Sequence, residues 1–315
     1  MGRYREAFDA YAASKVLLAE TRVQAYDRQA TEQALAGERA MLTPERIADW
    51  ALKAEPGTPA PLFIVGFPRS GTTLLEQMLG RHPLIVPCGE LETSMEHATD
   101  TADYFNSLTQ LDARDREARL MALRTDYMAR LHDHARDVTG VQYASNKLPL
   151  NLMRIGMIRL LFPQARIIHI QRHPLDAVSS AYFPPFLFGN AWSIRLADAA
   201  HLFAQSWQHA EAMQRLPGTH CLRVRYEDLV TDPEPVLRQV LTFLDLSWDP
   251  ACLDFQQSAR IARTASYAQV ARALYQTSLK RYRHYLDFID AETLALLQPV
   301  IAETGYEVEH ARAAP

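Results

Sequence analysis

The junction between the apolar run at residues 61–65 (PLFIV) and the segment at 66–73 (GFPRSGTT) limits this chain's fold more than any other feature. A short apolar run before a glycine-containing loop reads as a buried strand, and the TTLLEQML that follows reads as the start of a helix. A loop between a strand and a helix N-terminus collects backbone N–H groups that the helix cannot pair internally. The helix dipole adds a potential that favours an anion at the same point. Gly71 permits a tight backbone path, Ser70, Thr72 and Thr73 add hydroxyl donors, and Arg69 adds a planar cation able to engage two oxygens at once.

The alternation continues along the chain. A turn at His82-Pro83 leads to a short strand at 84–86, and a helical region at 113–136 leads to a strand ending near Lys147. RIIHI at 166–170 reads as a buried strand, HCLRVRY at 220–226 as another of mixed polarity. Val236, Leu237, Val240, Leu241 and Leu244 form an amphipathic stripe after Pro233, and helical segments at 275–289 and 291–301 close the chain. This order predicts an α/β fold of the phosphate-loop, three-layer type, with a mostly parallel central sheet flanked by helices. Ahead of it, residues 3–40 are helical, with Phe8, Tyr11, Val16 and Leu17 in a broken stripe, and Thr43 caps a further helix that begins at Pro44. KAEPGTPAP at 53–61 reads as a linker, which gives an N-terminal helical extension at 1–55 and a main domain at 56–315. Residues 2–13 suit one tetratricopeptide-like helix; one unit cannot bury its own apolar face, so a true array needs neighbours.

A net charge of −4 over 315 residues argues against a general nucleic-acid binder while leaving room for a local basic pocket. Cys88, Cys221 and Cys252 are widely spaced and odd in number, which points to a reducing, cytoplasmic setting without a disulfide scaffold. The N-terminus lacks the pattern of a secretion signal, and no run of about 18 apolar residues predicts a membrane span. The loop at 66–73 follows the spacing G-x-x-x-x-G-K-[ST] except that Thr72 replaces the lysine. That lysine reaches the β/γ-phosphates of a triphosphate, so its absence weakens an ATPase, GTPase or kinase reading. An Mg-ATP-dependent small-molecule kinase would need another lysine and a metal-holding carboxylate; a nucleotide-binding scaffold without transfer activity is the other alternative. No His/Cys/Asp cluster suggests a metal, and His169 and His173 suit structure or the border of a cofactor better than zinc.

PRSGTT together with RHPLDAVSS resembles the two cofactor-binding signatures of the PAPS-dependent sulfotransferase superfamily. The likeness runs over about residues 61–285; it is greatest to bacterial sulfotransferases associated with tetratricopeptide repeats and more distant to tyrosylprotein sulfotransferases. It implies sulfuryl transfer from 3′-phosphoadenosine 5′-phosphosulfate (PAPS) to a hydroxyl acceptor, with adenosine 3′,5′-bisphosphate as product and no metal. On this resemblance Arg69, Ser70, Gly71, Thr72 and Thr73 hold the 5′-phosphosulfate, and Arg172 and Ser180 grip the 3′-phosphate. SNKLP resembles the Asn-Lys-Asp-Pro segment of the tyrosylprotein enzymes and places the catalytic lysine at Lys147, with Leu148 where those enzymes have Asp.

CGELE resembles their Gly-Glu-Glu segment. Anchoring on Gly89 makes Glu90 the acceptor base, whereas anchoring on Thr93 with a one-residue insertion makes it Glu92; Glu90 is the first choice. RTASYAQV resembles a segment whose serine, here Ser266, contacts the transferring sulfate, while Arg281 matches a cation associated with the 3′-phosphate and Tyr226 a tyrosine beside the adenine. The aromatic run at 181–192 lines an apolar entrance or packs as a lid. A peptide tyrosine, a saccharide and a small molecule all remain open as acceptors.

Overall fold

The computed structural model describes residues 3–20, 25–55, 57–99, 104–136, 138–186, 190–255 and 279–310. In chain order its regular elements are α1 (Tyr4–Glu20), α2 (Arg28–Met41), α3 (Pro44–Trp50), β1 (Ala60–Gly66), α4 (Thr72–Leu79), β2 (Ile85–Pro87), α5 (Ser94–Thr99), α6 (Tyr104–Thr109) and α7 (Ala113–Ala135). There follow β3 (Tyr143–Asn146), α8 (Ile155–Leu161), β4 (Arg166–Gln171), α9 (Pro174–Tyr182), α10 (Leu196–Gln214), β5 (His220–Arg225), α11 (Tyr226–Thr231), α12 (Pro233–Phe243) and α13 (Ala291–Thr304). Among the described residues no helix is long and apolar enough to cross a membrane.

The strands form one sheet in the order β2-β3-β1-β4-β5, and every neighbouring pair is parallel. The expected α/β architecture is therefore present. β1 lies at the centre because its residues can be buried on both faces. Phe63 and Val65 join a core with Ile47, Tyr127, Leu161 and Ile167, while Leu62 and Ile64, which alternate with them, point the other way and are also 0% exposed. Each such side chain contributes about 1.5–3 kcal/mol of burial. Gly66 ends β1 opposite Ile170, and a β-carbon there would lie 2.6 Å from the Ile170 carbonyl oxygen, so the close approach of β1 and β4 requires glycine.

The chain divides into two compact units. The first comprises Gln33–Gln171 and His209–Tyr275 and holds the sheet; α3, α7 and α8 contribute to its core. Thr43 accepts a hydrogen bond from the Arg46 N–H, the expected cap on α3. The second comprises Met1–Glu32, Arg172–Gln208 and Gln276–Pro315. In it Tyr4 stacks on His284 at 4.2 Å, Phe8 leans on Tyr182 and Tyr285, and Tyr11 stacks on Phe183 at 4.7 Å. Tyr182, Phe183 and Trp192 are each 6% exposed, so these aromatics of the 181–192 run are packed.

Two expectations change. The stripe on α1 passes through Tyr4, Phe8, Tyr11 and Lys15, leaving Val16 and Leu17 62% and 64% exposed. A period of 3.6 continues from Tyr11 to Lys15, whose stem covers the aromatics while its ammonium donates to the Pro184 carbonyl at 2.9 Å. The described part of the expected helix at 275–289 is a succession of short 3-10 turns, Arg281–His284 and Leu286–Phe288.

His169, in the middle of β4, is neutral. Arg223 Nε donates to Gln214 Oε1 at 3.0 Å, which turns the Gln214 amide so that Nε2 donates to His169 Nδ1 at 2.9 Å. Burial, and secondly the Arg223 charge, pull the imidazole pKa from 6.5 down to about 3. The unfolded chain takes up this proton below pH 6.5 and the folded chain only near pH 3, so the contribution is present above 6.5 and is lost as pH falls towards 3. His169→Gln is expected to lower the slope of unfolding free energy against pH between 6 and 4 by up to about 1.4 kcal/mol per pH unit, measured by urea denaturation. Equal slopes in the two proteins would show that His169 does not carry the acid loss.

Candidate active site

The loop after β1 turns through two residues with positive φ, Arg69 at 73° and Gly71 at 100°. Gly71 is the N-cap of α4 and supplies no side-chain cap, so nothing of its own covers the positive end of that helix. A β-carbon on Gly71 would meet Tyr226 Cδ2 at 2.3 Å; the Tyr226 ring lies against the loop backbone from the start of α11. Arg69 has no glycine's freedom, and its conformation costs about 1–3 kcal/mol, which the surrounding loop must offset. Ser70, Thr72 and Thr73 are 1%, 3% and 4% exposed, so their side chains are packed at the loop. Backbone donors, three buried hydroxyl side chains and a half-buried guanidinium fit an oxyanion with several oxygens.

In the same unit, the segment after β2 runs beside the end of β3. Cys88 N–H donates to the Ser145 carbonyl at 3.0 Å and Lys147 N–H to the Gly89 carbonyl at 2.8 Å. The Asn146 side chain then brackets Leu91, accepting from its N–H at 3.3 Å and donating to its carbonyl at 3.1 Å. Glu90 is thus fixed on both sides, and its Oε1 lies 2.5 Å from Lys147 Nζ. The Lys147 side chain is 0% exposed and that of Glu90 42%, so the ammonium is interior and the carboxylate stands at the rim.

Behind them lies Glu76 of α4, whose Oε1 accepts from Gly89 N–H at 3.0 Å and from Ser145 Oγ at 2.8 Å. Burial pushes the Glu76 carboxyl up from its ordinary pKa; the Lys147 charge, foremost, and these hydrogen bonds oppose it. Glu90 and Glu92 line a cleft of about 450 Å³ together with Arg130, Asp133 and His134 of α7. Both candidate bases face this cleft, and of the two Glu90 carries the ion pair with Lys147.

The RHPLDAVSS segment lies in the second unit. His173 caps α9: its Nδ1 accepts from Leu175 N–H at 3.2 Å, so its Nε2 donates to the Glu307 carbonyl, 3.1 Å away. Arg172 is 6% exposed and its guanidinium lies 4.0 Å from Asp176. The Asp176 carboxylate accepts from Lys280 N–H at 2.7 Å and Tyr282 N–H at 2.9 Å, the residues on either side of Arg281. Burial raises the Asp176 pKa, opposed first by Arg172. Arg281 is exposed, its guanidinium 5.7 Å from the Phe183 ring centre and 5.9 Å from that of Tyr285. Ser180 is half-buried and stands one helical turn beyond Asp176 on the same face of α9. Arg172, Ser180 and Arg281 therefore share one unit, with Asp176 bonded beside two of them. Ser266 lies outside the described residues.

Sequence reasoning missed Glu76, Asn146 and Asp176. The signal for Glu76 was available: one carboxylate in the otherwise uncharged helix TTLLEQML. Asn146 lies within SNKLP and Asp176 within RHPLDAVSS, where nothing in the sequence alone sets either apart.

A family model described as the sulfotransferase family matches residues 61–250. Protein-tyrosine sulfotransferase 1 of Danio rerio is 24% identical over 259 residues, covering 78% of this chain and 72% of the relative. The protein-tyrosine sulfotransferase of Drosophila melanogaster is 26% identical over 263 residues, covering 78% and 51%. An uncharacterized protein of Aquifex aeolicus is 29% identical over 266 residues, which are 79% of this chain but 34% of the relative, so the chain spans about a third of that protein. Among solved structures, the sulfotransferase domain of the Synechococcus PCC 7002 olefin synthase superposes with a TM-score of 0.55 at 22% identity, over 82% of this chain and 99% of that one. The sulfotransferase domain of the curacin biosynthetic pathway gives 0.53 at 20%, over 81% and 100%. At these identities the structures show a shared fold.

Proposed function

This chain belongs to the sulfotransferase family, and we propose that it moves a sulfuryl group from PAPS to a hydroxyl acceptor by direct in-line transfer. The observation that carries this reading is the interior Lys147 ammonium paired with Glu90 at the rim of a cleft, built in the same unit as the phosphate-type loop.

PAPS supplies the activated sulfuryl group. The N–H groups at the start of α4, with Arg69, Ser70, Gly71, Thr72 and Thr73, bind its 5′-phosphosulfate; Tyr226, seated on Gly71, borders the nucleotide. Arg172, Ser180 and Arg281 bind the 3′-phosphate. Glu90 accepts the proton of an acceptor hydroxyl that enters through the cleft and comes within about 2.6–3.2 Å of it. As Glu90 is neutralised, the buried Lys147 ammonium loses its counter-charge while negative charge grows on the leaving side. The cation that balanced the base then stabilises the departing oxygen. Ser266, by family resemblance, assists at the sulfuryl oxygens. The likeness to tyrosine sulfotransferases keeps a peptide tyrosine among the acceptors of this reading, beside saccharides and small molecules.

Incubation with sulfate-labelled PAPS and a panel of tyrosine peptides, saccharides and phenols is expected to yield a labelled product, and ATP with Mg²⁺ is expected to turn over in none of these mixtures. Absence of transfer, together with no preference for adenosine 3′,5′-bisphosphate over AMP in calorimetry, would reject the reading.

Arg69→Ala and Lys147→Met are each expected to lower kcat/KM by roughly 10²–10³-fold while the circular dichroism spectrum is retained. Near-wild-type values in both would remove them from the chemistry. Glu90→Gln is expected to lower kcat by about 10²–10⁴-fold, and Glu92→Gln by no more than about threefold. The reverse order would transfer the base to Glu92. Glu90→Gln also leaves Lys147 without its carboxylate, so a stability loss of up to about 3–5 kcal/mol should accompany it in denaturant titration.

A further inference from the structure

We infer that Glu76 is a positioning residue that ties the anion-binding helix α4 to the Glu90–Lys147 pair. The inference rests on the transfer reading for the role of that pair; the contacts themselves stand apart from it.

Glu76 is 4% exposed and sits among Leu75, Met78 and Leu79, each 0% exposed. A carboxylate in such surroundings is costly, and an apolar side chain of similar volume would pack at lower cost. Its partners give the reason for it. Oε1 accepts one hydrogen bond from Gly89, the residue before Glu90, and one from Ser145, two residues before Lys147. Gly89 has a φ of 73°, its carbonyl is held by Lys147 N–H, and its own N–H is held by Glu76. The turn that aims Glu90 is therefore fixed through both of its peptide groups.

Glu76 also stands one helical turn beyond Thr72, on the same face of α4. One rigid turn thus separates the residue that opens the anion site from the residue that holds the base segment. A group that fixes main-chain geometry in this way acts on the alignment of the base, and it should act on kcat rather than on nucleotide affinity. An angström of misplacement is enough to lose about 10²-fold in rate.

The test compares the full-length wild type with Glu76→Gln and Glu76→Met. Glu76→Met removes the acceptor, and Glu76→Gln keeps an oxygen in the same place. In Glu76→Met the Gly89 amide is expected to exchange hydrogen about tenfold faster or more, with the β1 amides of Phe63 and Ile64 unchanged. The same variant should lose about 10²-fold in kcat on any acceptor that the wild type sulfates, while calorimetric Kd for adenosine 3′,5′-bisphosphate moves by less than about threefold. Glu76→Gln should restore Gly89 protection and recover most of the lost kcat. Wild-type protection of Gly89 in a folded Glu76→Met, equal loosening of Gly89 and β1, or equal damage from Gln and Met would overturn the inference. Should Glu76→Met not fold, Ser145→Ala removes one of the two donors, and an unchanged kcat there overturns it as well. If the wild type sulfates no acceptor, the transfer reading fails, and hydrogen exchange at Gly89 still decides whether Glu76 holds the turn.

Discussion

Lys147 is an ammonium with 0% side-chain exposure, and such a charge persists only where carboxylates and hydrogen-bond acceptors surround it. The neighbourhood is arranged around that demand. Glu90 meets it directly at the rim, and behind it the Glu76 carboxyl holds the Gly89 N–H and the Ser145 hydroxyl. The Gly89 carbonyl takes the Lys147 backbone N–H, and Asn146 brackets Leu91, so the segment that presents Glu90 cannot drift from the cation it compensates. A pair made of one interior and one rim charge has a chemical use: protonating the rim partner leaves an interior cation that needs a new anion.

The sheet makes this neighbourhood available. When all strands run parallel, their carboxyl ends lie along one edge, and every loop that leaves that edge can contribute to one site. β1 delivers the anion loop there, β2 the Glu90 segment, β3 Lys147 and β5 the Tyr226 ring that seats on Gly71. The order β2-β3-β1 also explains why Ser145 and Glu76 meet. β3 lies between the strand before α4 and the strand after it, so the helix that crosses from one to the other passes the end of β3. Residues 13 positions apart, Glu76 and Gly89, are joined by the same crossover.

Much of this was legible because the signals were local. Strand β1 is an uninterrupted apolar run and the apolar run of β4 is broken only by His169, Thr43-Pro44 announces its helix, and the glycine of the anion loop follows from backbone geometry alone. Helix α10 was less legible: Asp198, His201 and His209 lie on its polar stripe yet are buried, so that stripe does not mark a solvent face. The α1 stripe runs through Lys15 rather than Val16, because a lysine whose ammonium finds a carbonyl can continue an aromatic face. The pairing of Glu90 rather than Glu92 with Lys147 was not legible either, since the Glu90 segment is held by Asn146 and Glu76 rather than by spacing within CGELE.

Glu76 and Asp176 show one device used in both units. Each is a buried carboxylate on a helix that follows a loop at the end of a strand, and each accepts main-chain N–H groups beside an exposed charged residue: Gly89 beside Glu90 in one case, Lys280 and Tyr282 around Arg281 in the other. A long exposed side chain has many rotamers, and fixing it directly would cost much of the freedom it needs to follow a substrate. Fixing only the backbone from which it springs narrows the volume it can sample while leaving its charged end to respond. Glu76 and Asp176 are also raised in pKa for the same first reason, burial, with a neighbouring cation opposing the shift in each case. Both carboxyl groups are therefore occupied in holding the main chain, while Glu90 and Arg281 beside them retain solvent contact.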